Sequence, residues 1–228
     1  MLPNIKALFF DIDNTLIDFH KSAYSAMCDA MAELCLEAES EALFAHFLAV
    51  NDILWKDVER GTLTVDRLHE IRWNTIFSRT GVDFDGVGFE RVFRKYLFFS
   101  AAEVEGAAHL LRSVQGKYRI FAASNASEAQ QRTRLERCGM LDCFEGIFCS
   151  EQLGAHKPSR AFFDACFARA GGLSPAEVLL IGDSPSADIA GAKSCGMPAC
   201  LYDPSGANSG CGEDFSVRTL AQLEAMLI

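Results

Sequence analysis

The pattern of hydrophobic and polar positions separates strand-like segments from one long helical stretch. Residues 7–10 form a short continuous apolar run, typical of a parallel strand buried on both faces. Across residues 18–98, apolar residues recur instead at helical spacing, and Gly61 and Gly81 interrupt the pattern. We therefore expect four helices and no strand in this stretch.

From about residue 104 onward, strand and helix patterns alternate. Repeated strand–helix units imply a parallel sheet with helices on both faces. The predicted fold is therefore α/β, a doubly wound, Rossmann-like core of residues 1–17 and 99–228 with an inserted all-helical cap of residues 18–98. Further strands are predicted at 118–123, 146–149, 178–181 and 198–202, helices at 106–114, 128–138, 160–170, 187–195 and 217–227, and a polar loop at 204–213.

Composition narrows the class of protein. Half of the 228 residues are hydrophobic, which is enough for a sizeable core, and the formal net charge is −10. A strongly negative chain is not expected to bind nucleic acid polymers or anionic membranes. The net negative charge would repel an anionic substrate, so the binding of such a substrate would need local positive charge or a metal ion.

The nine cysteines include no Cys-x-x-Cys pair, and most lie in apolar runs, so neither a disulfide framework nor a zinc site is expected. The apolar run at the start of the chain is too short to span a membrane, and Asp11 and Asp13 interrupt it. These features indicate a cytoplasmic protein with reduced thiols.

Polar side chains follow four of the predicted strands. In an open parallel sheet, ligands bind beyond the carboxyl ends of the strands, so these side chains are expected to share one edge. They are, in chain order, Asp11 and Asp13, Ser124 and Asn125, Lys157, and Asp183 with Asp188.

Their chemistry suits one ligand type. Carboxylate oxygens without histidine partners favour Mg²⁺, and Lys157 with the Ser124 hydroxyl can bind phosphate oxygens. Aspartate is a known nucleophile in phosphoryl transfer. Each motif alone has an ordinary alternative, such as a solvated turn, a helix cap or a surface lysine. A shared site explains why all of them follow strands.

The motifs together resemble those of the haloacid dehalogenase-like hydrolase superfamily, whose helical-cap subgroup carries its cap between the first two motifs. The matching segments are Asp11-x-Asp13-x-Thr15, Ser124-Asn125, Lys157-Pro158 and Gly182-Asp183-Ser184-x-x-x-Asp188. Ser124 replaces the commoner threonine and keeps its hydroxyl, and Ala126 stands where glycine is frequent.

The resemblance implies a role for each residue. Asp11 would be the nucleophile and Asp13 the general acid and base. Mg²⁺ would be held by Asp11, the Asp13 backbone carbonyl and Asp183. Ser124, Asn125 and Lys157 would bind phosphate, with Asp188 acting through water or by orienting Lys157.

Asp13 also bears on the reaction. A halide leaves without a proton, whereas an alkoxide needs one, so a second aspartate favours phosphate ester hydrolysis over carbon–halogen cleavage. The implied enzyme is a Mg²⁺-dependent phosphomonoester hydrolase acting through an aspartyl-phosphate on a small-molecule ester. A phosphomutase or a sugar-phosphate phosphatase with the same core remains open. A non-catalytic scaffold is disfavoured because every required group is present.

The cap is expected to select the substrate. Asn51 is polar on an otherwise apolar helix face, either as an internally bonded amide or, with Trp55 one turn on, as a substrate contact. Segments in this region, Asp18-Phe19, Asn51-Asp52-x-Leu54-Trp55 and Gly61-x-Leu63-Thr64-x-x-x-Leu68, are similar to the pyrimidine 5′-nucleotidase branch. This implies nucleoside 5′-monophosphates as substrates. The candidate pocket residues are Phe19, His20, Asn51, Trp55 and Arg72, although a charged residue such as Arg72 is more often a surface salt-bridge former than a ligand.

Overall fold

The computed structural model describes residues 4–208 and 210–228, and the chain forms two compact units. One unit contains residues 1–18 and 101–228, and the other contains residues 19–100. Residues 1–3 of the predicted core and residue 209 of the predicted loop lie outside the described residues. Within the described ranges, no helix combines the length and apolar character needed to cross a membrane.

The first unit is built on a six-stranded parallel sheet. The strands are β1 (Ala7–Phe10), β2 (Arg119–Ser124), β3 (Gly146–Cys149), β4 (Val178–Gly182), β5 (Ala199–Tyr202) and β6 (Phe215–Val217). Their order in the sheet is β3-β2-β1-β4-β5-β6. The chain passes from β1 to β2 and β3 on one side of β1 and then crosses to β4 on the other side. The carboxyl end of β1 is therefore the switch point at which such sheets bind ligands.

The second unit consists of four helices, and residues 19–100, all of which the structure describes, contain no strand. Its core is aromatic: Trp73 lies 4.4 Å from Phe89 and 5.4 Å from Phe47 between ring centroids. Phe93 packs edge-on against Trp73. The helices are α1 (Phe19–Glu33), α2 (Ser40–Glu59), α3 (Val65–Thr80) and α4 (Gly86–Phe99).

Helices cover both faces of the sheet, as the α/β prediction requires. They are α5 (Ala107–Val114), α6 (Glu128–Arg137), α7 (Ser150–Leu153), α8 (Arg160–Ala170), α9 (Gly191–Ser194) and α10 (Leu220–Leu227). Side chains of β1 alternate between the faces: Leu8 and Phe10 pack with α5, α6 and α10, whereas Ala7 and Phe9 pack with α8 and α9. This confirms the doubly wound fold.

Two predicted elements differ from the structure near the end of the chain. The predicted helix at 187–195 is a π-helical segment, Pro185–Ala190, followed by the short α9. The predicted helix at 217–227 starts only at Leu220, because residues 215–217 pair with β5 as β6. Three residues are too few to show a strand periodicity, so the partner strand decides their conformation.

Candidate active site

The site lies where β1 ends. The backbone N–H of Asp11 donates to the Ile181 carbonyl at 2.8 Å, so the chain still follows the sheet at this residue. The Asp11 side chain is consequently held at the switch point, between the ends of β2 and β4, and is nearly buried.

Lys157 connects three parts of this edge. Its Nζ donates to Asp11 Oδ1 at 2.6 Å, to Asp188 Oδ1 at 2.7 Å and to the Ala123 carbonyl at 2.7 Å. These three acceptors use all the ammonium protons. Burial alone would lower the pKa of Lys157, but the carboxylates of Asp11 and Asp188 together raise it, so the side chain carries a fixed positive charge.

Three carboxyl groups lie close together near the ammonium group of Lys157. Asp11, Asp183 and Asp188 offer oxygen atoms that all lie within 4.8 Å of one another. Burial, opposed by Lys157 and reinforced by Asp188, raises the pKa of Asp11 to about 7. Burial and the charges of Asp11 and Asp188 raise the pKa of Asp183 well above its usual range. Such a set of hard oxygen donors with excess negative charge fits a divalent cation of the Mg²⁺ type.

The loop after β4 brings Asp188 into place. The Ser184 backbone N–H donates to Asp188 Oδ2 at 3.1 Å, and the carboxyl group packs directly over Gly182, where a Cβ atom would overlap it. A glycine is therefore required for this close approach. One of the two roles predicted for Asp188 was to orient Lys157. Asp188 Oδ1 accepts a hydrogen bond from the Lys157 ammonium group.

Asn125 and Ser124 follow β2 and have different partners. The Asn125 side chain pairs with the backbone of Lys157 in both directions, at 3.0 and 2.8 Å, which ties the Lys157 loop to the end of β2. Ser124 Oγ accepts from Gln131 Nε2 at 2.9 Å and from the Ala126 N–H at 3.3 Å.

Asp13 contacts two residues that the sequence analysis missed. Gln131 Nε2 donates to Asp13 Oδ2 at 2.6 Å, and Arg134 Nη1 donates to Asp13 Oδ1 at 2.5 Å. Both donors lie on α6, where a spacing of three residues puts them on one face. That spacing is the signal that was available, but Leu135 is the one large apolar residue of α6, so no apolar stripe identified the buried face.

The predicted pocket residues of the cap all belong to the unit of residues 19–100. Arg72 is buried and not at the surface: it pairs with Glu90 at 2.6 Å, and its Nη1 donates to Asn51 Oδ1 at 2.7 Å. Asn51 and Arg72 thus bond each other inside the unit. Phe19 and Trp55 are half-buried and His20 is exposed. Their part in substrate binding remains a prediction.

Comparison with known proteins identifies the class. Residues 5–196 match the family model of the haloacid dehalogenase-like hydrolases, and the chain belongs to this family. The predicted family membership and the prediction of an enzyme of this class are both confirmed.

Individual relatives extend the likeness over nearly the whole chain. The pyrimidine 5′-nucleotidase PynA of Streptococcus pneumoniae is 32% identical over 200 residues, covering 87% of this chain and 84% of that protein. The pyrimidine 5′-nucleotidase YjjG of Escherichia coli is 28% identical over 222 residues, covering 96% of each. The magnesium-bound crystal structure of the HAD-hydrolase YfnB from Bacillus subtilis superposes with a TM-score of 0.91 at 27% identity, covering 98% of this chain and 99% of that one.

Proposed function

We propose that this protein is a Mg²⁺-dependent phosphomonoesterase that acts through an aspartyl-phosphate intermediate. The observation that carries the proposal is the contact of Asp11 with the buried ammonium group of Lys157, beside Asp183 and Asp188, at the switch point of the sheet. A phosphoryl group needs chiefly positioning and charge neutralisation in its loose transition state, and this arrangement supplies both.

In the first half of the proposed reaction, a carboxylate oxygen of Asp11 forms a bond to phosphorus. The ester P–O bond breaks, and Asp13 gives its proton to the departing alkoxide. In the second half, Asp13 takes a proton from water, the water oxygen attacks phosphorus, and the bond to Asp11 breaks. Phosphate leaves, and both carboxyl groups return to their starting states.

The carboxylates of Asp11 and Asp183 and the backbone carbonyl of Asp13 would hold the cation. When bound, it would neutralise negative charge on these carboxylates and on the phosphate. Lys157 stays ionised and contributes a second positive charge, and the Ser124 hydroxyl and Asn125 complete the proposed phosphate site.

We further propose nucleoside 5′-monophosphates, pyrimidine ones first, as the substrates. The names of the Streptococcus pneumoniae and Escherichia coli relatives support this class. The residues proposed to select the substrate are in the helical unit, with Trp55 available for stacking on a base and Phe19 and His20 near the start of α1.

A phosphate-release panel tests this proposal. The purified protein is assayed with Mg²⁺ or with EDTA against pyrimidine and purine monophosphates and against sugar phosphates. We expect release to require Mg²⁺ and to be highest with a pyrimidine monophosphate. A clear preference for sugar phosphates would contradict the nucleotidase assignment, and no release from any ester would contradict the phosphatase itself.

The substitution Asp11→Asn tests the nucleophile. An amide oxygen attacks phosphorus far more weakly, so we expect the rate of phosphate release to fall by at least about a thousandfold. The far-UV circular dichroism spectrum should stay that of the wild type. A variant with near-wild-type rates would show that another residue attacks phosphorus.

A further inference from the structure

Two side chains of α6 bind Asp13 and have no part in the reaction as described above. Arg134 Nη1 donates to Asp13 Oδ1 at 2.5 Å, and Gln131 Nε2 donates to Asp13 Oδ2 at 2.6 Å. Arg134 Nη1 also lies 3.3 Å from Gln131 Oε1. Each oxygen of the Asp13 carboxyl group therefore has its own donor, and the donors contact each other.

The burial of these groups is unequal. The Arg134 side chain is 1% exposed and Gln131 is fully buried, whereas the Asp13 side chain is 28% exposed. A guanidinium group buried to this degree is costly unless it is paired, so the contact with Asp13 is not an incidental surface ion pair. The exposed part of Asp13 leaves the carboxyl group open to substrate and water.

The helix that carries the donors is itself well anchored. It begins directly after β2, where the Ser127 side chain caps its first turn, and Leu135 packs in the core beneath the sheet. Gln131 and Arg134 are therefore presented from a rigid element, which is how precise positions are held in functional sites.

Gln131 also links Asp13 to Ser124. One amide group donates to Asp13 Oδ2 and to Ser124 Oγ, the latter at 2.9 Å. Ser124 Oγ accepts a second bond from the Ala126 N–H, so both of its lone pairs are used. Its own hydrogen is then left to donate, as binding of a phosphate oxygen requires.

We infer that Arg134 and Gln131 are positioning residues, which fix the orientation of the Asp13 carboxyl group and, through Gln131, the hydroxyl of Ser124. The inference rests on the proposed function, since it assigns Asp13 the transfer of a proton to the leaving group. With both oxygens anchored, the carboxyl group cannot rotate away, and only its remaining lone pairs exchange the proton.

The experiment compares two leaving groups. A nitrophenolate departs as an anion at neutral pH, whereas an alkoxide must be protonated as it leaves. We therefore measure kcat/KM, which covers the steps through departure of the leaving group, with p-nitrophenyl phosphate and with the alkyl phosphate that the wild type hydrolyses fastest. The variants are Arg134→Met and Gln131→Met, which keep side-chain volume and remove the donors.

The expected result is selective. Arg134→Met should lower kcat/KM for the alkyl phosphate by about 100-fold, the scale of general acid catalysis, and that for p-nitrophenyl phosphate by less than about 5-fold. Arg134→Lys, which retains a cationic donor, should recover part of the alkyl activity. Gln131→Met should lower kcat/KM for both substrates, because Gln131 also contacts Ser124. The loss should be larger for the alkyl phosphate, whose leaving group needs the proton of Asp13.

The matched control is Arg132→Met on the same helix. Arg132 is exposed and pairs with Glu128 one turn away, so its loss should leave both kcat/KM values unchanged. This control separates the effect of the Asp13 contact from that of removing any arginine from α6.

Equal losses with the two substrates in both variants would indicate a merely structural role and overturn the inference, as would no loss in either. If circular dichroism shows that Arg134→Met does not fold, the comparison of the two substrates with Gln131→Met tests the inference by itself. A wild type that releases no phosphate from either ester would instead contradict the proposed function, so the two failures are distinguishable.

Discussion

At the scale of single residues, the site depends on how closely backbone and carboxyl groups approach. Gly182 ends β4, and the Asp188 carboxyl group occupies the space that any larger side chain would need. Asp188 in turn accepts from Lys157, which holds Asp11. One glycine therefore helps to determine where the proposed nucleophile lies.

Gly182→Ala should displace the Asp188 carboxyl group. Overpacking at such a buried position costs about 1–3 kcal/mol in the free energy of unfolding. The resulting shift of Lys157 should lower phosphate release by about 100-fold, as misplacement by an ångström can. Urea unfolding and the phosphate assay measure the two effects.

Gly146→Ala is the control for this substitution. Gly146 is also a strand glycine, in β3, but its added Cβ would lie 3.3 Å from the nearest atom of the Phe121 ring. We expect a stability change within about 1 kcal/mol and unaltered phosphate release. Wild-type activity in Gly182→Ala would mean that the position of Asp188 does not matter to the reaction.

At the scale of elements, α2, α3 and α4 are joined by buried polar contacts among the aromatic rings. Arg72 on α3 makes two bonds to Glu90 on α4 and one to Asn51 on α2. Burial raises the pKa of Glu90 even against the attraction of Arg72. The pair is thus not a source of net stability in itself, but breaking it would leave a buried charge uncompensated.

Glu90→Gln should therefore destabilise the helical unit by about 3 kcal/mol. Both tryptophans of the chain, Trp55 and Trp73, lie in this unit, so the intrinsic fluorescence of the protein reports its unfolding in urea. Glu70→Gln, which breaks the exposed pair with Arg67 on the same helix α3, should change stability by less than about 0.5 kcal/mol. Similar effects of the two substitutions would contradict the buried-pair argument.

His69 on α3 should make the stability of the helical unit depend on pH. Burial, aided by the charges of Arg94 and Arg72, lowers its pKa from 6.5 to about 3. Between these values the unfolded chain binds a proton that the folded one does not, so stability falls as the pH drops below about 6.5.

Tryptophan fluorescence during urea unfolding at pH 7 and pH 5 measures this dependence. The variant His69→Gln should lose less stability between the two pH values than the wild type does, because its side chain binds no proton in either state. An identical loss in both proteins would show that other groups cause the acid sensitivity.

At the scale of the whole molecule, the proposed cation should contribute to stability as well as to activity. A ligand that binds only the folded state stabilises it by about 2.7 kcal/mol at a hundred times its dissociation constant. Thermal unfolding followed by far-UV circular dichroism should thus shift upward in Mg²⁺ relative to EDTA. NaCl at matched ionic strength should not reproduce the shift, and Asp183→Asn should reduce it. A shift unaffected by this substitution would show that Mg²⁺ binds elsewhere.

Local patterns were sufficient to predict most of the architecture. The apolar run of β1, the stripes of the four helices of residues 19–100 and the later strand–helix alternation each depend on neighbouring residues, so they are visible before folding. Parallel strands place their carboxyl ends at one edge, which is why Asp11, Lys157 and Asp183 could be predicted to meet.

Tertiary structure alone decided the individual hydrogen bonds of these polar groups. Lys157 is 146 residues from Asp11, and the strand-end rule places both at one edge without giving the contact between them. Arg134 is 121 residues from Asp13, and no local rule brings that pair together. The mostly polar sequence of α6 contains no apolar stripe that would mark its buried face. The strand β6 forms through its hydrogen bonds with β5 and shows no strand pattern of its own. The sequence by itself determined most of the elements, because these follow from short-range periodicity, and the chemistry of the residues at the strand ends. The contacts that orient Asp13 and neutralise Arg72 required the folded chain, because they join residues far apart in sequence.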